Sequence, residues 1–566
     1  MALRIRAAGL VAMLLLPAAA TSARLPIDGT FLDPRVMEIT SRHDPAIQPS
    51  GPLATAGGHQ VGDRVSFWAQ DFSDDPVYGT FYLLSATCRH VGERTYVFVE
   101  DYVWNTSFDQ EDVDALALAL EQSTPADSGG IVGVDEATFG AIPDEIDGDP
   151  RVYFLVLDIR DPVQSNLTIL GYFSPYNQFT DYEARFIYGG HSNEVEMLYI
   201  DCDPADLDDA IYVSAHELVH LIQWGIRPFS GEELWVIENQ AQSGPFVCGY
   251  KVEQVATFLE VGGVSPLGWT SYEDDYRYVA GYGAGYLFFA YIYENYGGSR
   301  FLWNSLHSGE RGLEGLQRSI ESAIGGSVDL DSILEDWLVA NWVDDPDVCG
   351  GLYGYESFRI ADFDPMGQGG RRGLDYSLLV DSLPAIHRQH EILPRTGDYY
   401  GLLPSTGEGS LRASAEGLGE LSAYRVSRGP DGSVAVERLQ TGTGMQLAAA
   451  MPDSCDMLLF ANSDFGLMLE VAADDALQAG SDDQILVYPN PSLGSVFFEF
   501  ESNGGPVQLA LFDLEGSHVH TVDFGTVQAG QALLEYSGAE SLSTGVYFFR
   551  LTQGNAAGTG KIALVR

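Results

Sequence analysis

A chain of 566 residues, 45% of them hydrophobic, can bury several cores, and at about 150 residues per domain it has room for about four domains, so a disordered or fibrous chain is excluded. Acidic residues outnumber basic ones 81 to 29, with Lys251 and Lys561 the two lysines, and the net charge of -52 excludes binding to nucleic acid or anionic lipid by simple attraction. The five cysteines, Cys88, Cys202, Cys248, Cys349 and Cys455, are too few and too scattered for a disulfide-built scaffold.

Residues 1–23 carry Arg4 and Arg6, an apolar run over 7–16, Pro17 and a small-residue stretch over 18–23, the three-part pattern of a secretory signal peptide. Elsewhere there is no run of about eighteen apolar residues, so no transmembrane segment is expected in the mature chain. From 24 to 123 short aromatic and β-branched runs at 64–69, 81–86 and 95–100 predict a β-rich N-terminal module, with a helical pattern near 112–122. The run 151–158 is apolar without alternation, as a strand buried on both faces is, and opens a larger α+β domain over 124–360. A further strand is expected at 194–201. Helices are predicted at 209–224, 231–243, 279–296, 312–323 and 329–342. Asp208 or Asp209 is placed to cap the first and Gly225 to follow it. Ser230 with Glu233 has the spacing of a capping box for the second, and Gly297 with Gly298 ends the third. Period-two patterning returns after 355 and predicts a β-sandwich at 375–472, an acidic linker at 473–483 and an Ig-like domain at 484–566.

The segment holding His216, Glu217 and His220 reads H-E-x-x-H. On a helix, positions four apart project from one face about one turn from each other, which is what one Zn²⁺ asks of two imidazole ligands. Glu217, next to the first histidine, is placed to act as general base on a metal-activated water. A hydrolytic zinc takes a third protein ligand, and Glu238 supplies a carboxylate on the next predicted helix, among Trp235, Val236, Ile237 and Ala241. Asp144 to Asp149 and Asp201 to Asp209 are acidic stretches with the donor chemistry of Ca²⁺ but without a full EF-loop spacing. A Cys88 thiolate in the N-terminal module has the chemistry to block the zinc, but no supporting motif accompanies it.

H-E-x-x-H followed on a second helix by W-x-x-E resembles the gluzincin metallopeptidases, and the stretches 151–224 and 336–346 look like the secreted bacterial hyicolysin-like peptidases. The likeness covers about residues 60 to 470, with specific motifs between 150 and 360. It implies zinc held by His216, His220 and Glu238, with Glu217 as the base. One departure is the Ile237-Glu238-Asn239 stretch, followed by Gln242 and Ser243, where such families read N-E-G around the third ligand. Tyr282, in Y-x-x-G before an apolar run, resembles the tyrosine that stabilises the transition state in the aminopeptidase branch, with Tyr278 and Tyr286 as competitors. No G-x-M-E-N motif is present, which leans toward an endopeptidase. By the same resemblance, the strand at 194–201 is the expected edge strand that holds an extended substrate. Segments 488–491, 507–516, 543–551 and 561–566 look like the C-terminal sorting domain of type IX secretion cargo, implying handling by that machinery.

The expectation is therefore a multidomain α+β chain: a zincin-like catalytic domain, a mixed sheet with helices carrying H-E-x-x-H, between the β-rich module and two β-sandwich domains. Its expected activity is that of a secreted zinc endopeptidase acting on protein or peptide substrates. The alternative is a peptidase-like surface adhesin or binding protein with weak or no catalysis.

Overall fold

In the computed structural model, the described residues are 25–33, 35–36, 39, 58–73, 80–161, 167–203, 205–229, 231–268, 275–363 and, with several turns left out, 378–564. The expected signal peptide, Ser230 and most of the expected linker lie outside them. A seven-stranded sheet organises the first half of the chain, in the order β1-β6-β7-β5-β4-β3-β2. Its strands are β1 (Leu25–Asp28), β2 (Arg64–Asp71), β3 (Thr80–Val91), β4 (Thr95–Glu100), β5 (Val152–Leu157), β6 (Leu167–Phe173) and β7 (Met197–Asp201). β2, β3 and β4 pair antiparallel, and β4, β5 and β7 run parallel.

The strands expected to form a separate N-terminal module thus continue the sheet of the next domain: β4 pairs with β5 from Thr95↔Val152 to Val99↔Val156. Alternating residues on β5 then enter two different cores, Phe154 and Val156 on the helical side and Tyr153, Leu155 and Leu157 on the other, which is why the run reads as uniformly apolar. β7 is not the edge strand expected at 194–201. It lies between β6 and β5 with all five residues buried, and the edge beyond β6 is taken by β1.

Helices α1 (Gln110–Glu121), α2 (Gly130–Phe139), α3 (Leu207–Ile226), α4 (Leu234–Cys248), α5 (Gln254–Val261), α6 (Asp275–Asn295), α7 (Ser299–His307), α8 (Gly312–Ile324) and α9 (Leu330–Val343) follow the sheet or cross over it. α3 begins earlier than expected because Asp206 is its cap: Asp206 and Asp209 each accept the other's backbone N–H at 3.1 Å, so Asp209 completes a capping box. Gly225 lies inside α3. At α4 the Glu233 carboxylate accepts the Trp235 indole N–H at 2.6 Å and makes no cap bond.

Two close approaches set the helices that matter most. A Cβ on Gly244 of α4 would lie 2.6 Å from the Ala215 carbonyl oxygen of α3, and one on Gly285 of α6 would lie 1.9 Å from Asn239 Oδ1 of α4. Gly244→Ala is expected to cost about 1–3 kcal/mol of stability through overpacking, read as a lower urea midpoint.

After α9, residues 378–475 form a five-stranded and a four-stranded sheet, and residues 486–564 a three-stranded and a four-stranded sheet. The last strand of the first pair, Leu467–Asp475, runs into the expected linker. This β-domain is bonded to α9: buried Glu335 accepts from Ser422, Tyr424 and Arg438, and Tyr399 donates to the Leu338 carbonyl at 2.7 Å. The final pair of sheets closes on its own core of Val496, Phe498, Leu509, Phe549 and Ile562, among others.

Candidate metal centre

On α3 the four-residue spacing turns His216 and His220 toward each other, with their Nε2 atoms 3.1 Å apart. Close packing of α4 on α3 brings in Glu238, whose Oε2 lies 3.4 Å from His216 Nε2 and 3.8 Å from His220 Nε2. A fourth donor comes from β1: Asp28 Oδ2 stands 3.6 Å from His220 Nε2. One ligand atom from each of these four residues falls within 4.8 Å of all the others. Donors at zinc bond lengths around a tetrahedral centre lie about 3.3–3.4 Å from one another, so the observed separations have the right scale.

The electrostatics point the same way. Both oxygens of Glu238, Oδ2 of Asp28 and Oε1 of Glu217 are buried without a hydrogen-bond partner, a costly arrangement unless a cation balances it. No arginine or lysine among the described residues forms an ion pair with them. Burial, and then the charge of Asp28 nearby, pushes Glu217 and Glu238 well above the usual carboxylate range, with Glu238 adding to the effect on Glu217. Burial, with His220 beside it, lowers His216 to about 3, which leaves the neutral imidazole that binds metals. A divalent cation fits this donor set.

The His220 ring nitrogen turned away from the cluster is held by a glutamine. His220 Nδ1 is 2.8 Å from Gln223 Oε1, and Gln223 in turn donates to the Ile237 carbonyl and to Gln240 Oε1, both at 2.9 Å. Gln242 hydrogen-bonds His216. Such partners fix ring orientation and tautomer. Gln242, noted in the sequence as a departure, therefore has a structural role, while Gln223 and Asp28 were missed. Gln223, three positions after His220 on the same helix face, was the legible one of the two.

Glu217 is fully buried beside the cluster. A Cβ on Gly171 of β6 would lie 3.2 Å from its Cγ, so the missing side chain leaves room for it. Tyr282 lies within α6, 1% exposed, with its ring centroid 6.3 Å from that of His216. Its hydroxyl is 3.5 Å from that of Tyr278. Tyr286 is engaged elsewhere, donating to the Tyr250 carbonyl at 2.8 Å. Cys88 belongs to the core on the far side of the sheet from α3, with Sγ 3.4 Å from the His90 carbonyl, and is not among the clustered donors.

Of the two acidic stretches, the first contributes Asp144 and Asp147 to a second group of close donors, with Glu196 just before β7. The second gathers no such group among the described residues; Asp206 and Asp209 cap α3 instead. Burial, then the nearby Asp147, pushes Glu196 up to about 8, and burial raises Asp201 to about 8 as well. Carboxyls raised in the folded state stabilise it fully below their ordinary values, and that contribution is lost as the pH rises through about 8. The unfolding free energy in calcium-free buffer is therefore expected to fall from pH 5 to pH 9, by on the order of a few kcal/mol. Glu196→Gln should flatten that fall, and a flat profile in the unaltered protein would contradict it.

Residues 486–565 match the secretion system C-terminal sorting domain. The chain ends in a sorting domain. It is a secreted, cell-surface protein handled by type IX secretion, and no helix of the described residues is long and apolar enough to cross a membrane. Because the sorting domain has its own core, deleting 484–566 is expected to leave the rest folded and abolish its appearance outside the cell, scored by immunoblots of medium and cell fractions. No curated protein matches the chain. Similar solved structures include a β-glucuronidase of Ruminococcus gnavus, 12% identical over 30% of this chain and 35% of that one, with a TM-score of 0.17. A β-glucuronidase of Lactobacillus rhamnosus is 12% identical over 30% and 35%, with a TM-score of 0.16. The chain thus covers about a third of the length of these structures, and likeness at this level carries no argument about activity.

Proposed function

We propose that this secreted protein is a zinc-dependent endopeptidase hydrolysing peptide bonds. The observation that carries the reading is the meeting of His216, His220 and Glu238 with Glu217 beside them. His216, His220 and Glu238 hold the zinc, which when bound lowers the pKa of a water and polarises the carbonyl under attack. Glu217 accepts the proton from the attacking water and passes it to the departing amine nitrogen. A general base works best with a pKa near the working pH, and the burial that raises Glu217 moves it in that direction. Tyr282, next to His216, donates a hydrogen bond from its hydroxyl to the carbonyl oxygen as negative charge gathers there. Gln223 and Gln242 keep the imidazoles aligned.

The test is casein cleavage that a chelator stops and zinc restores, measured on the protein as purified and after mild trypsin treatment, beside Glu217→Gln. Bound zinc with no cleavage in either form, or cleavage equal in the variant, would overturn the reading. A second reading is a surface-binding protein that uses the ion structurally. Its support is Asp28, since four protein donors all buried are the mark of a closed site rather than one with an open position.

A further inference from the structure

Asp28 has no counterpart in the expected ligand set, and it arrives with a whole segment. β1 lies parallel to β6 at the sheet edge, from Leu25↔Leu167 to Asp28↔Gly171, and the added strand continues with Gly29 N–H donating to the Gly171 carbonyl at 2.8 Å. The fit is tight, since a Cβ on Gly29 would meet Ile169 Cγ2 at 2.7 Å.

The Asp28 carboxylate is oriented as metal ligands are. Its Oδ1 accepts from Thr30 N at 2.9 Å and Thr30 Oγ1 at 2.8 Å, which leaves Oδ2 for the cluster. Thr30 also reaches the base: its Oγ1 accepts from Phe173 N at 2.9 Å and stands 3.4 Å from Glu217 Oε2. Next in the chain, Phe31 sets its ring edge-on to His220, with centroids 5.7 Å apart. Three nearly consecutive side chains therefore engage a ligand, the base and the rim of the site. With them in place His216 is 4% exposed, and His220, Glu217 and Glu238 are 0% exposed. An extended peptide cannot reach a centre closed this way, because it needs both the edge of a strand and an open position on the metal.

We propose that residues 25–33 are a built-in stopper: Asp28 is a fourth metal ligand occupying the position that the reaction needs open, while β1 fills the strand edge of β6 that an extended substrate would use. This rests on the peptidase reading of the site. Release of the segment frees both places together, so the chain is secreted closed and is opened by displacement or trimming of these residues.

The test uses the full-length protein loaded with zinc, with Asp28→Ala and the near-isosteric Asp28→Asn, which keeps the bonds to Thr30 if the alanine variant misfolds. Two readouts are taken: the rate at which zinc passes to a chelating dye, with hydrogen exchange over 25–33, and the rate of casein cleavage. Expected are zinc loss faster by roughly tenfold or more, faster exchange in the segment, and a comparable rise in cleavage. Zinc loss and cleavage both equal to the unaltered protein would overturn the stopper and leave the peptidase reading standing. Faster zinc loss with no cleavage in any form would uphold Asp28 as a ligand and overturn the peptidase reading, and with it the inhibitory role.

Discussion

Glu217→Gln is expected to lower casein cleavage by about 10²–10⁴-fold, the usual contribution of a positioned general base, in the Asp28→Asn background, while zinc content stays the same. Glu217 is not among the four clustered donors, and glutamine keeps its shape and its place against Gly171. What the amide loses is the ability to accept a proton. The Asp28→Asn background matters because a closed site would hide the comparison in the unaltered chain. The measurement is initial rates on casein together with zinc analysis of the same samples.

Glu238 is expected to show an effect that reverses with the metal. In zinc-loaded protein, Glu238→Gln removes a charged ligand, and zinc affinity should drop by more than the roughly 10–100-fold typical of losing an outer partner; the melting temperature should fall accordingly. With zinc stripped by a chelator at pH 8 the sign changes. Both Glu238 oxygens are then buried without partners, and burial with the charge of Asp28 nearby makes its ionised form costly, so the neutral amide should raise the melting temperature. Thermal unfolding of both proteins, with and without zinc, reads the crossing directly. A drop under both conditions would mean that Glu238 serves packing rather than a cation.

The parts of the site that were legible are those carried by local geometry. His216, Glu217 and His220 share one helix, where spacing alone dictates which side chains meet, and Glu238 sits on the helix that follows. Asp28 was not legible for the opposite reason. It depends on a four-residue strand finding β6 across more than a hundred intervening positions, and its short sequence carries no periodicity or motif. The N-terminal boundary failed similarly: period two identifies β2, β3 and β4 as strands but does not say which sheet they join, and Thr95↔Val152 pairing is a long-range event. The edge assignment of 194–201 overlooked a signal that was present, since the apolar run of Met197 to Ile200 is that of a strand covered on both faces. The cap of α3 moved to Asp206 because, in a run holding Asp206, Asp208 and Asp209, only the partner three positions on makes the reciprocal pair.

The most direct measurement of the central claim is anomalous scattering at the zinc absorption edge from crystals of the purified, zinc-equilibrated protein. A single strong peak between the Nε2 atoms of His216 and His220, within bonding distance of Glu238 and Asp28, is the predicted result. Zinc-equilibrated crystals with no anomalous peak among these four side chains would contradict it.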